Sequence, residues 1–152
     1  MKSIKVNNLT KSYGRKNEKV LAVDDVSFDV NPGEIFGLIG PDGAGKTSIF
    51  RMLTTVLLPD SGSATVEGFD MVKDYKKIRR ILGYMPGKFS LYQDLTVEEN
   101  LEFFATVFNT NIAENYDLIK DIYVQIEPFK TRRAGKLSGG MKQKLALSCA
   151  LI

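Results

Sequence analysis

The chain carries, at residues 40–47, the stretch Gly40-Pro41-Asp42-Gly43-Ala44-Gly45-Lys46-Thr47. This stretch fits the pattern G-x-x-x-x-G-K-[ST], a glycine-rich loop that surrounds nucleotide phosphates with backbone N–H groups. A helix that starts near Gly45 adds its positive N-terminal end at the same place. Lys46 can reach the β- and γ-phosphates, and the Thr47 hydroxyl can bind Mg²⁺. The stretch therefore predicts that the chain binds ATP or GTP.

The sequence around this loop has the order strand, loop, helix that the motif needs. Residues 35–39 are almost wholly apolar, which predicts a strand buried on both faces of a parallel sheet. From Ile49 to Leu57 apolar residues recur at helical spacing, which predicts an amphipathic helix that stops before Pro59. For the loop alone, a glycine-rich turn without a ligand remains the alternative. A dinucleotide fingerprint is excluded, because Ser48 stands where that motif needs a small apolar residue.

Composition limits the class of protein. The 152 residues are 43% hydrophobic and 26% charged, which is typical of one globular domain. No apolar run approaches the roughly 20 residues that cross a bilayer, and the N-terminus lacks the apolar stretch of a signal peptide. A single cysteine, Cys149, suits the cytoplasm. The net charge of +3 is too small to indicate a nucleic-acid partner.

Two segments are locally basic, residues 73–80 and residues 130–144. Solvated helix faces and loops account for such segments in most proteins, and a partner surface or a phosphate environment is the alternative. Elsewhere the pattern predicts strands at residues 4–6, 26–30, 64–66 and 81–85, and a basic helix at residues 72–80. Thr96 and Glu99 form a capping box that opens a further helix, and another helix ends before Pro128.

A second motif lies near the end of the chain, Leu137-Ser138-Gly139-Gly140-Met141. Ser138 can cap the helix that follows, and the two glycines leave backbone N–H groups uncovered and ready for an anion. Alone the motif is weak, since a plain capped helix explains it. Combined with a phosphate loop about ninety residues earlier, it resembles the signature Leu-Ser-Gly-Gly-Gln of the ATP-binding-cassette (ABC) ATPases. Met141 departs from the usual Gln.

The resemblance covers essentially the whole chain and implies an α/β fold. It implies a P-loop NTPase (RecA/F1-like) core with an N-terminal antiparallel β subdomain and a helical subdomain. The β subdomain and P-loop core would take about residues 1–86, the helical subdomain about 87–136, and the signature motif and its helix 137–152. The family's strand ending in Asp-Glu follows the signature by some 15–20 residues. Because the chain stops at Ile152, we expect the C-terminal part of the core to be missing.

The resemblance also implies the roles of individual residues. Tyr13 matches the aromatic that stacks on adenine, and an ordinary strand-end tyrosine is the alternative. Thr47 matches the Mg²⁺ ligand. Leu137, Ser138, Gly139, Gly140 and Met141 match the signature, which in the family contacts the ATP held by a second, head-to-tail cassette. The implied ATP-binding set consists of Tyr13, Gly40, Pro41, Asp42, Gly43, Ala44, Gly45, Lys46, Thr47 and Ser48.

The implied function is that of the ATPase subunit of an ABC transporter, bound through membrane permease partners to the cytoplasmic face of a membrane. Residues 91–101 and Asp42 look like the exporter type, as in multidrug efflux systems. A non-transport ABC ATPase of translation or DNA repair is the alternative, although no paired cassette or coiled-coil insertion is visible. Another phosphate-loop enzyme, a kinase or a GTPase, is disfavoured by the signature and by the absence of Asn-Lys-x-Asp.

Two departures from the family pattern bear on catalysis. Gly87 stands where the family has a Gln that binds Mg²⁺ and senses the γ-phosphate, and nothing shows that Gln93 replaces it. The 152 residues contain no histidine, so the switch histidine is absent, and no Asp-Glu strand supplies the general base. With no catalytic residue of its own, the chain is expected to bind ATP but to hydrolyse it negligibly.

Overall fold

The computed structural model describes residues 2–15 and 18–152. The chain divides into two units at Leu82 and Gly83. The first unit contains a four-stranded antiparallel sheet with the order β2-β1-β3-β4. Its strands are β1 Ile4–Tyr13, β2 Val20–Val30, β3 Ser61–Val66 and β4 Phe69–Asp70. The strands predicted at residues 4–6, 26–30 and 64–66 are confirmed, and all three are longer than expected.

Two helices pack in the first unit, α1 Lys46–Leu53 and α2 Tyr75–Ile81. The core forms where the buried side of α1 meets alternate residues of the sheet, since strand side chains alternate between faces. Its buried members are Val6, Leu9, Val23, Ile49, Met52, Leu53, Ala64, Met71 and Ile78. The basic helix predicted at residues 72–80 is confirmed as α2, although it begins at Tyr75 and ends at Ile81.

The helix after the loop is shorter than predicted. It ends at Leu53, because Thr55 takes the left-handed conformation with a φ of 60° and turns the chain out of the helix. The amides of Val56 and Leu57 both donate to the carbonyl of Arg51 in that turn. Val56 is exposed in consequence, whereas Leu57 still packs against the core.

Two predicted strands are wrong. Residues 35–39 form no strand, and Ile35 and Ile39 are almost completely exposed. A strand buried on both faces needs a hydrogen-bonded neighbour on each side. The four strands among the described residues pair only with one another, so no parallel core sheet forms there. Residues 81–85 fail for the same reason, since Ile81 ends α2 and no strand pairs with the residues after it.

The second unit is helical, with α3 Val97–Val107, α4 Ile112–Tyr123 and α5 Gly139–Leu151. Short 3₁₀ turns lie at Glu127–Phe129 and Ala134–Lys136. The capping box is confirmed: the Thr96 hydroxyl accepts from the Glu99 N–H at 3.1 Å, and the Glu99 carboxylate accepts from the Thr96 N–H at 2.7 Å. The core is made of Val97, Leu101, Ile119, Tyr123, Ile126, Ala134, Leu137, Leu145 and Cys149.

The beginning of the second unit lies against its last helix. A Cβ built on Gly83 would be 2.3 Å from the carbonyl oxygen of Ala150 in α5, so only glycine permits this approach. Asn115 of α4 fixes the same end of the unit, because its Nδ2 donates to the carbonyl of Ile152 at 2.8 Å.

Candidate functional site

The glycine loop leads directly into α1, and Gly45 makes the turn. Gly45 precedes the first helical residue and has a left-handed backbone, with a φ of 82°. Its Cα also approaches β2 so closely that a Cβ would lie 2.0 Å from the carbonyl oxygen of Ala22. Both the conformation and the space therefore require glycine at this position.

The first turn of α1 presents free backbone donors. The first helical hydrogen bond runs from the Ile49 N–H to the Gly45 carbonyl, at 3.0 Å. The N–H groups of Lys46, Thr47 and Ser48 come before it and have no helical acceptor. No acidic residue lies in this turn, and no side chain caps it. The turn thus combines three donors with the positive end of the helix dipole, an arrangement that binds anions.

Lys46 places a positive charge over the loop. Its Nζ donates to the carbonyl oxygens of Gly40 and Pro41, at 2.6 and 2.7 Å. The side chain therefore folds back along the loop and does not extend into solvent. An ammonium held there adds charge-assisted hydrogen bonding to the same anion site.

A cavity of about 290 Å³ opens over this turn. Tyr13 lies on its wall, and the Tyr13 and Ser48 hydroxyl oxygens are hydrogen-bonded at 2.9 Å. Tyr13 is about 40% exposed, so the residue is partly packed and partly open to a flat ligand. The structure thus brings Tyr13 together with most of the predicted phosphate loop. The residues lining the cavity are Tyr13, Ala22, Asp42, Gly43, Ala44, Gly45, Lys46, Thr47 and Ser48.

These groups suit a nucleoside triphosphate with its metal ion. The exposed amides and the Lys46 ammonium are donors for phosphate oxygens, and the exposed Thr47 hydroxyl is an oxygen ligand of the kind that Mg²⁺ takes. The half-open Tyr13 ring can cover a base. Gly40 and Pro41 do not line the cavity, and they contribute through the carbonyls that hold Lys46.

The signature residues lie in the second unit, at the start of α5. The Ser138 hydroxyl accepts from the Met141 N–H at 3.3 Å, so the predicted cap is confirmed. A Cβ on Gly139 or Gly140 would meet nothing within 4 Å, and both glycines are exposed. Leu137 is buried, and Met141 packs against the helical core. Leu137 and Met141 therefore anchor the turn, while the two glycines leave its backbone open.

Gly87 is exposed, and a Cβ there would meet nothing within 4 Å. It lies on the wall of a second cavity, of about 250 Å³, where the Lys142 Nζ sits 5.5 Å from the centre of the Phe89 ring. Gln93 is exposed, and its carbonyl accepts from the Gly135 N–H at 2.8 Å. The residues lining this cavity are Met85, Pro86, Gly87, Phe89, Gly139, Lys142, Gln143 and Ala146.

Two polar residues make structural contacts that the sequence patterns did not predict. Asp60 binds the end of β1 through Lys11 and Ser12. Asn100 is completely buried, and its amide group bonds to the backbone of Tyr92 and Thr96. A polar residue within an otherwise apolar helix face was the available signal for Asn100, whereas nothing local marks the partners of Asp60.

Comparison with known proteins agrees with this architecture. The family model described as ABC transporter matches residues 23–152. A relative, the probable multidrug ABC transporter ATP-binding protein YbhF of Escherichia coli strain K12, is 46% identical over 151 residues. That alignment covers 98% of this chain, which spans only 26% of the relative's length.

Two solved structures are also similar. An ATP-binding subunit of an ABC transporter matches with a TM-score of 0.80 and 29% identity, over 97% of this chain and 60% of that one. A dimeric bacterial ABC transporter cassette matches with a TM-score of 0.81 and 25% identity, over 97% and 68%. The chain belongs to the ABC transporter family, which confirms the predicted family and fold class. In the part of the chain that the structure describes, no helix is both long and apolar enough to cross a membrane.

Proposed function

We propose that this chain is the ATP-binding part of an ABC transporter ATPase and that its glycine-loop cavity holds ATP with Mg²⁺. One observation carries the proposal. Three free amides, the Lys46 side chain and the partly exposed Tyr13 lie on one cavity. The amides of residues 46–48 and the Lys46 ammonium would hold the phosphates. Thr47 would provide a ligand to Mg²⁺, and Tyr13 would cover the base.

The signature turn is proposed to serve a neighbouring cassette. Its exposed glycines and free amides suit a phosphate supplied from outside the chain. A similar solved cassette is dimeric, which supports a head-to-tail pair as the working form. Membrane permease partners on the cytoplasmic side would then turn ATP binding and hydrolysis into transport. The multidrug relative supports export as the direction, and the substrate would be chosen by the permease partners.

The 152-residue chain alone is proposed to bind ATP and to hydrolyse it negligibly. Its sequence contains no histidine and no Asp-Glu pair, so it offers neither a switch histidine nor the family's general base. Loss of a general base costs about 10²–10⁴-fold in rate, and loss of a metal ligand adds to this. A purified chain that turned over ATP near one per second, on the order of a typical kinase rate, would contradict this part of the proposal.

The test is calorimetric titration of the chain with ATP in the presence of Mg²⁺. Lys46→Ala should weaken ATP binding at least about tenfold, because a charge-assisted bond to phosphate is lost. Lys73→Ala removes an exposed lysine of the same unit and serves as the matched control, with no expected change. Thermal melts of both variants show that the fold persists. Absence of ATP binding by the unaltered chain, or equal loss in both variants, would overturn the proposal.

A further inference from the structure

The side chain of Asp60 holds the last residues of β1 in place. One carboxylate oxygen accepts from the Lys11 Nζ at 2.7 Å, and the other accepts from the Ser12 N–H at 2.7 Å. The N–H of Asp60 itself donates to the Thr10 carbonyl at 2.9 Å. Three consecutive residues of β1 are thus bound by one aspartate, immediately before Tyr13.

These hydrogen bonds lie at the point where the pairing between β1 and β3 ends. On its β3 side, β1 pairs from Ile4 opposite Val66 to Thr10 opposite Ser61, and β3 begins at Ser61. Ser12 lies beyond the last pair, so its N–H has no strand residue to bond on that side. The Asp60 carboxylate supplies the missing acceptor. On the other side, β1 is paired with β2 as far as Tyr13 opposite Val20, but through several register shifts.

The Asp60 contact is charged and well packed. The Lys11 side chain is only 14% exposed, although Asp60 itself is 41% exposed. The hydrogen bonds from Lys11 and from the Ser12 N–H lower the pKa of Asp60 below its ordinary value, so the carboxylate is ionised at neutral pH. Charge-assisted bonds of this kind are shorter and stronger than neutral ones.

Tyr13 is held from its other end by Ser48. The two hydroxyl oxygens lie 2.9 Å apart, and Ser48 is buried in the first turn of α1. The end of β1 therefore fixes the backbone at Tyr13. The helix α1, which forms the anion site, fixes its hydroxyl. Two fixed points leave the exposed part of the ring facing the cavity that residues 42–48 line.

We propose that Asp60 and Ser48 are positioning residues that hold the Tyr13 ring against the base of a bound nucleotide. The inference rests on the proposed function, because it requires a nucleotide in this cavity. Neither residue needs to touch the base. Asp60 acts through the backbone of Ser12, and Ser48 acts through the Tyr13 hydroxyl.

The test separates base binding from phosphate binding. Calorimetry measures the affinity of the chain, with Mg²⁺, for ATP and for inorganic tripolyphosphate, which has no base. Tyr13→Ala sets the scale and should weaken ATP binding about five- to a hundredfold, since base stacking on an aromatic ring is lost. Asp60→Ala and Ser48→Ala should each weaken ATP binding about three- to tenfold, because they leave the ring present but displaced. Tripolyphosphate affinity should stay unchanged in the Tyr13 and Asp60 variants.

Two further variants make the test independent of folding defects. Lys11→Met removes one of the two partners of the Asp60 carboxylate and should give a smaller loss in the same direction. Asp29→Ala removes an exposed aspartate of β2 and should change neither affinity. Thermal melts accompany every variant.

The outcomes are distinct. Selective loss of ATP affinity in the Asp60 variant, together with weaker ATP binding by the Ser48 variant, supports the inference. Equal loss for both ligands, or no loss while Tyr13→Ala weakens ATP, overturns the inference and leaves the proposed function standing. If Tyr13→Ala has no effect, the base contact is wrong and the inference falls with it. If the unaltered chain binds neither ligand, the proposed function itself fails.

Discussion

Ala22 and Gly45 approach so closely that a Cβ on the glycine would lie 2.0 Å from the alanine carbonyl oxygen. Gly45 also has a φ of 82°, which non-glycine residues rarely adopt. Gly43, two residues earlier, has the same φ of 82°, yet a Cβ there would meet nothing within 4 Å. Comparing substitutions at the two glycines therefore separates the free-energy cost of the backbone conformation from that of the close approach.

We expect Gly43→Ala to lower the free energy of unfolding by about 1–2 kcal/mol, the cost of a left-handed non-glycine residue. Gly45→Ala should lower it by about 3 kcal/mol or more, because the clash with β2 adds to the same backbone cost. Urea unfolding followed by circular dichroism measures both. Equal destabilisation by the two substitutions would mean that α1 shifts away from β2 at little cost.

Asn100 joins α3 to the segment before it through four polar contacts. Its Nδ2 donates to the carbonyls of Tyr92 and Thr96, at 3.0 and 2.8 Å, and more weakly to that of Leu95. Its Oδ1 accepts from the Tyr92 N–H at 3.1 Å. We expect Asn100→Leu to lower the free energy of unfolding by about 2–3 kcal/mol, because backbone groups lose partners while the volume stays similar.

A matched control for Asn100→Leu is available on the same helix. Glu102 is exposed, so Glu102→Leu adds the same side chain without breaking a buried contact. It should change the free energy of unfolding by less than about 0.5 kcal/mol. If Asn100→Leu proved as stable as Glu102→Leu in chemical denaturation, water would have to replace the amide contacts.

The capping box makes the stability of the second unit depend on pH. The hydrogen bonds from the Thr96 N–H and hydroxyl hold the pKa of Glu99 below its ordinary value. A carboxylate with a lowered pKa in the folded state contributes stability above its unfolded pKa, about 4.3 for Glu. That contribution is lost as the pH falls through the lower, folded pKa.

We therefore expect Glu99→Gln to abolish part of the acid sensitivity of unfolding below pH of about 4. At pH 7 the variant should be slightly less stable, since an amide replaces a charged group near the N-terminus of α3. Denaturant midpoints from pH 3 to pH 7 give the comparison. Glu102→Gln, at an exposed site one turn further along α3, is the control and should keep the slope of the unaltered chain.

The glycine at position 87, where the family has Gln, can be tested directly by substitution. Its surroundings leave room for a longer side chain, so Gly87→Gln should fold with a stability change of less than about 0.5 kcal/mol. If the usual Gln role applies in this chain, the variant should bind ATP more tightly with Mg²⁺ than without it, by a larger ratio than the unaltered chain. Gly87→Ala controls for the backbone. An identical Mg²⁺ ratio in all three proteins would contradict the expected role.

Local signals predicted local structure well. The capping box at Thr96 and Glu99 links residues three positions apart, as does the Ser138 cap of α5, and both are present. The failures involve partners that are distant in the sequence. The apolar run at residues 35–39 predicts a buried strand, but burial depends on neighbouring strands that a single segment does not specify.

The same reasoning explains what was missed at the candidate site. The loop, its glycines and Tyr13 are visible because each carries a pattern, and the structure places most of them on one cavity. Asp60 bonds to Lys11 across 49 residues, a relation that no spacing rule reveals. The left-handed Thr55 that ends α1 is similarly hidden, because threonine seldom adopts that conformation.

The contact between Gly83 and Ala150 joins the beginning of the helical unit to its last helix. The first residue of the unit meets α5, and α3 and α4 lie between these two points in the sequence. Helices could lengthen, shorten or change composition between these two points without altering this contact.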